Sequence, residues 1–357
     1  MPPEEKFPWR AIMAVHLVSP GSLATGIGSL PHTDPVKACD DVIRIFPQLP
    51  YAPTLPNRGL LENIVFCDSE GLPGRVISEG RLLVDRGAQL SAEMEQVYLD
   101  YIEGNFSPYA VTADYASGFH EFGKRTYYSP FALKCQVTGP VTFGMQVVDA
   151  EKRPVYYDSQ YADVLSKLIA LRARWLEQSL RGIAGATNTM VMVNEPYLAA
   201  LGSSVVPIDM DTVRSGWNDI ADMLKGSIGI HCCSNTDWSF IFSLDPGVVS
   251  FDAYSTTKEF LLYRDDLFTY LEKGGVVAWG IVPADNRVFS QETPESLYER
   301  YMGIRKEVTA YIPKKLFDAQ SIITPSCGIR FATEPESITI METAAMISAR
   351  VRGEPGL

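Results

Sequence analysis

The feature that most constrains this chain is a succession of short, continuously apolar runs in its second half. They cover residues 189–193, 227–230, 248–251, 276–279 and 321–323, and segments of helical pattern separate them. A strand that is apolar on both faces has to be buried on both faces. Such strands alternating with helices therefore predict a parallel sheet covered by helices. Residues 161–181 supply one of those helices. Tyr161, Val164, Leu165, Leu168, Leu171, Trp175 and Leu180 recur mainly at steps of three and four, with Lys167, Arg172, Arg174 and Glu177 between them. This many strand-and-helix units in so short a stretch fit one α/β domain, a (β/α)8 TIM barrel, better than two small domains. The expected division is residues 1–22 as an irregular N-terminal extension and 23–357 as a single barrel. The first half is rich in Pro, Gly and Tyr and does not resolve into elements by pattern.

The functional signal lies at the C-terminal ends of these runs. Residues 189–193 lead into Asn194-Glu195-Pro196, and 227–230 into His231-Cys232-Cys233. Residues 248–251 end at Asp252, and 321–323 precede Thr324-Pro325-Ser326-Cys327-Gly328. In a barrel the C-terminal ends of the strands form the rim where active sites are built. His231 and Cys233, two apart on an extended strand end, point to the same side, while Cys232 points into packing. Cys327 joins them if the fold brings two strand ends together. Three protein ligands with one open position describe a catalytic zinc site more than a structural one. Cys39, Cys67 and Cys135 lie singly in apolar contexts and are expected to be buried packing residues.

Composition narrows the partners. The chain has 357 residues, 46% hydrophobic and 21% charged, which excludes a disordered protein. Its formal net charge of −12, with no dense Lys/Arg run, argues against nucleic acid and against an anionic membrane surface. No window reaches the ~18 uncharged apolar residues of a membrane span. The short run 11–18 comes after Glu4 and Glu5 and contains His16, so it does not read as a signal peptide. A cytoplasmic location is the expectation.

Five segments, in chain order, resemble the catalytic barrel of cobalamin-independent methionine synthase. Its superfamily also holds zinc methyltransferases of methanogens and uroporphyrinogen decarboxylase. Thr25-Gly26-Ile27-Gly28-Ser29-Leu30-Pro31 is similar to the family's IGSFP start, and Val137-Thr138-Gly139-Pro140-Val141-Thr142 to its TGPVT segment. Val193-Asn194-Glu195-Pro196 resembles the DEPA strand end, Ile230-His231-Cys232-Cys233 the HxC zinc motif, and Thr324-Pro325-Ser326-Cys327-Gly328 the NPDCG motif. The resemblance implies zinc held by His231, Cys233 and Cys327. Asp252 stands where the family has a glutamate as fourth ligand. It also implies Ser29 and Asn194 as substrate-binding residues, although Asn194 replaces the aspartate that contacts the substrate amine. The implied activity is methyl transfer from a methyl-corrinoid or methyl-folate donor to a zinc-bound small thiol, homocysteine or a relative. The chain has no room for the family's additional N-terminal barrel, so a corrinoid protein is a possible donor partner.

Glu195, at a strand end, is expected to orient the acceptor or act as acid or base, and His32, just after Pro31, to take part in methyl transfer. Tyr51, Tyr115, Tyr127 and Tyr128 could wall a pocket or simply pack, and Trp279 is equally open. Two other readings remain: a metal-free lyase like uroporphyrinogen decarboxylase, and a non-catalytic corrinoid- or metal-binding protein.

Overall fold

The structure is a computed structural model in which residue 17 and residues 19–353 are described. Most of the expected extension therefore lies outside the described residues, as does the run 11–18 apart from Leu17. The described strands are β1 (Leu23–Ala24), β2 (Arg75–Ser78), β3 (Arg81–Val84), β4 (Leu133–Thr138), β5 (Thr189–Asn194), β6 (Ser227–Cys232), β7 (Val248–Phe251), β8 (Val276–Val282) and β9 (Ser321–Pro325). Each of the five apolar runs has become one of β5 to β9. β2 and β3 form a separate antiparallel hairpin in the half of the chain that pattern left unread.

The other seven strands form one parallel sheet in the order β4, β5, β6, β7, β8, β9, β1. Every neighbour in that order is the next strand in sequence until the last, β9, which pairs with the first, β1. The expected eighth strand is not among the described strands. Between β4 and β1 lie two isolated parallel bridges instead, Tyr51 with Lys134 and Thr54 with Ser29. Backbone bonds from Ala52 N to Lys134 O (2.8 Å) and from Thr54 N to Gly28 O (3.1 Å) tie this segment to both sides. Three prolines at 47, 50 and 53 remove ladder donors and keep it from extending into a regular strand.

Helices cover the outside. The expected helix 161–181 is Ser159–Arg181, opened by Asp158, whose side chain accepts from Gln160 N and Tyr161 N. The main core lies between sheet and helices. It includes an aromatic cluster in which Phe251 stacks on Phe260 at 3.9 Å and Trp238 and Trp279 meet Phe251 edge-on. Trp279 is therefore a packing residue, and its indole N–H donates to Ser321 Oγ. A smaller core of Leu23, Met190, Met192, Val248, Ala278 and Ile322 fills the inner face.

The register sets the site. Thr138, Asn194, His231, Ser250 and Ala278 are successive partners across β4 to β8 and form one row. The strands run further than the apolar runs, to Asn194, Cys232, Val282 and Pro325. Polar residues thus occupy the last ladder positions, where backbone pairing fixes their direction, and not free loops.

Candidate metal centre

His231, Cys233 and Cys327 come together, their ligand atoms all within 4.8 Å of one another. His231 sits on β6 with Asn194 on one side and Ser250 on the other. Its Nδ1 lies 2.9 Å from Ser250 Oγ, while its Nε2 is buried with no hydrogen-bond partner. A buried ring nitrogen is rarely left alone, and here it faces two thiols. Cys233 stands two residues on, at the strand end, as the alternation predicts. Cys327 arrives on the turn after β9, which the bond from Ile329 N to Ser29 O (2.9 Å) holds against the chain following β1.

The thiols are chemically unequal. The Cys233 thiol is held far below the ordinary thiol range, first by the adjacent Cys327 thiol and then by the neighbouring His231 ring, both of which outweigh its burial. Cys327 is pushed up by its closeness to Cys233 and by burial. A thiolate flanked by a second thiol and an imidazole is a soft N/S donor set that suits Zn²⁺, with a fourth position left open. The hydrogen bond at Nδ1 fixes the ring so that Nε2 faces the two sulfurs, as the arrangement usual behind a metal-bound histidine would require. Asp252 is not drawn into the cluster. Its side chain accepts from Ser255 N and caps the helix Ala253–Phe260, and burial and nearby Cys233 raise its pKa.

The cluster forms part of the wall of a cavity of about 200 Å³. Ser29 and Asn194 line it, and Asn194 Oδ1 is buried without a partner. Glu195 does not line it. Its carboxylate turns back to accept from Val141 N (3.0 Å) and Thr142 N (2.7 Å), the free amides that open the helix Pro140–Gln146. Burial raises its pKa to about 7 against those bonds. His32 is fully buried and lies 3.3 Å from Asp41 through Nε2, against the helix Pro35–Ile45 and away from the cavity. The structure thus places both residues in supporting positions. Tyr51 and Tyr127 are buried, Tyr128 is exposed, and neither these nor Tyr115 line the cavity.

Sequence reasoning missed much of the wall. Glu62, Asp68, Gln136, Arg330 and Phe331 all contribute to it. Cys67, expected to pack, is half-buried and also lines it, although burial and Asp68 push its thiol up and keep it protonated. Cys39 and Cys135 are buried as expected, and so is Cys232. A signal existed for Gln136. Lys134 and Gln136 are two apart in the apolar stretch 131–137, which marks an inward polar face on a strand. Lys134 uses that face, donating to Ile27 O at 2.6 Å. Glu62 and Asp68 come from irregular segments with no such pattern.

The fold and site together define an α/β protein with a barrel-like parallel sheet and a His/Cys/Cys centre at its rim. No known family matches the chain, and no curated protein does. Among solved structures it is similar to a B12-independent methionine synthase from Shewanella sp. W3-18-1, determined in complex with selenomethionine. The likeness covers 95% of this chain and 96% of that one, with a TM-score of 0.55 and 13% sequence identity. At that identity the likeness is one of fold. No helix among the described residues is long and apolar enough to cross a membrane.

Proposed function

We propose that this protein is a zinc-dependent methyltransferase that moves a methyl group from a methyl-corrinoid or methyl-folate donor to a small thiol. The observation that carries the reading is the buried, unpartnered Nε2 of His231 beside the Cys233 and Cys327 sulfurs in the cavity wall. His231, Cys233 and Cys327 would hold the zinc, and zinc when bound supplies the acidity that turns a thiol into a thiolate at neutral pH.

The chain's own residues do the rest. Ser250 fixes the imidazole through Nδ1. Ser29 and Asn194 orient the acceptor from the wall, while Ile27, Ile64 and Val137 keep water from the reacting sulfur. In the transfer a carbon–sulfur bond forms as the methyl–donor bond breaks, the bonding pair staying with the donor's cobalt or nitrogen, and the acceptor's S–H proton passes to solvent before the attack. The cavity is large enough for a small thiol and open enough to receive a donor methyl. The similarity in fold to a methionine synthase supports the reaction class. Homocysteine is one acceptor of the right size.

The test is direct product analysis. Zinc-loaded protein is incubated with methylcobalamin or methyl-tetrahydrofolate and a panel of thiols, and the thioether is measured by mass spectrometry. The reading expects a methyl thioether with at least one pairing and none with Cys233→Ser. Absence of any thioether from both donors would overturn it.

A further inference from the structure

The charged groups of the cavity are not equally available to a ligand. Glu62 is 4% exposed and already saturated. It pairs with Arg58 Nε at 2.8 Å and accepts from Ser117 Oγ at 2.6 Å and Leu55 N at 3.3 Å. Asp68 accepts from Thr138 N at 2.8 Å and from the Cys67 thiol at 3.4 Å. Glu62 is thus neutralised by Arg58, and Asp68 is engaged by hydrogen bonds from behind the wall. Arg330 is different. Among the described residues it has no carboxylate within ion-pair distance. Its one hydrogen-bond partner there is the neutral amide oxygen of Asn63 at 3.4 Å, and its guanidinium lies over the Phe331 ring at 4.5 Å. Of the described residues lining the cavity, it is the one uncompensated guanidinium.

Two neutral acceptors complete the count. Gln136 Nε2 donates to Ala52 O at 2.8 Å, which fixes the amide and leaves Oε1 buried without a partner. Gly28 makes room for that side chain, since a Cβ there would lie 2.7 Å from Gln136 Cδ. Asn194 Oδ1 is likewise unpartnered. A half-buried guanidinium asks for an anion, and orphaned amide oxygens ask for an N–H or O–H donor.

We infer that the thiol taken by this site carries an anionic group paired with Arg330 and a hydrogen-bond donor received by Gln136 and Asn194. Because those acceptors are neutral and both carboxylates are engaged, the donor's own charge is not selected. This rests on the thiol-methyltransfer reading and names its substrate class.

Four thiols of one length separate the possibilities by calorimetry on the zinc-loaded protein. They are homocysteine, 2-hydroxy-4-mercaptobutyrate, 4-mercaptobutyrate and 4-mercaptobutanol. The inference expects homocysteine and its hydroxy analogue to bind within about threefold of each other, and 4-mercaptobutyrate to bind more weakly than either. It expects 4-mercaptobutanol to bind at least tenfold more weakly than 4-mercaptobutyrate, about 1.4 kcal/mol. Arg330→Gln should bring that ratio close to one, and Arg330→Lys should restore part of it. An alcohol that binds as well as the acids would overturn the inference, as would a hydroxy analogue more than tenfold weaker than homocysteine. If none of the thiols binds, the methyltransfer reading itself falls, and the inference falls with it.

Discussion

Glu195 makes the pH dependence of stability a test of how the cavity wall is built. Its carboxyl is 3% exposed, and its pKa is raised from 4.5 to about 7 because burial outweighs the bonds from Thr142 and Val141. Between those two pH values the native protein keeps a proton that the unfolded chain has released. The stability gained from the neutral form is therefore complete below about pH 4.5 and lost as pH rises through about 7. At about 1.4 kcal/mol per pH unit, the loss comes to about 3 kcal/mol. Glu195→Gln cannot titrate. In urea unfolding at pH 5, 6, 7 and 8, the wild-type stability should fall relative to the variant by about that amount, and the rest of the protein's titration cancels in the difference. Gly139→Ala probes the same contact from the other side. Its backbone, φ −73° and ψ 157°, suits any residue, but a Cβ there would lie 2.2 Å from the Glu195 carboxyl. Displacing the carboxylate leaves two buried amides unpaired, so this variant should lose about 2–4 kcal/mol. Parallel pH curves for wild type and Glu195→Gln would refute the argument.

Three further predictions concern the row of inward residues and its neighbours. Ser250→Ala removes the partner of His231 Nδ1 and should weaken zinc binding by about 10–100-fold in a chelator competition while the unfolding transition stays cooperative; unchanged affinity would remove Ser250 from the centre. Asp252→Ala should keep the metal content of wild type but lose about 1 kcal/mol of stability, because the carboxylate caps the helix Ala253–Phe260; loss of metal would make Asp252 a ligand. Burial lowers the Lys134 pKa from 10.5 to about 7, so its charged form is penalised in the native state. Lys134→Met should therefore gain about 2–4 kcal/mol below pH 7, net of the lost bond to Ile27 O. That gain should shrink as pH rises from about 7 towards 10.5, and a variant less stable at every pH would contradict it.

The legible parts of the sequence were those where one physical constraint acts alone. Strands buried on both faces must be apolar throughout, so β5 to β9 stood out, and the alternation of a strand end placed His231 and Cys233 together. Cys327 could be joined to them only through the order of sheet neighbours, which no local pattern states. Glu195 was read as reactive because of its strand-end position. Its partner was hidden in Gly139-Pro140-Val141-Thr142, where a glycine leaves space, a proline starts a helix and two amides are left to be capped. Glu62, Asp68 and Arg330 were missed because irregular segments bring them to the cavity, and irregular backbone has no period to read. The hairpin β2–β3 was missed for a different reason. Its strands, RVIS and RLLV, are short and half-exposed, and too few residues alternate to stand out.

The central claim is that His231, Cys233 and Cys327 form one metal site. It is tested most directly by elemental analysis of metal per chain in wild type, Cys233→Ser and Cys327→Ser, each purified without chelator and again after zinc titration and gel filtration. The account predicts close to one zinc per wild-type chain and a loss of tightly held zinc in both variants, with folding intact. A wild type that neither carries zinc nor takes it up on titration would contradict it.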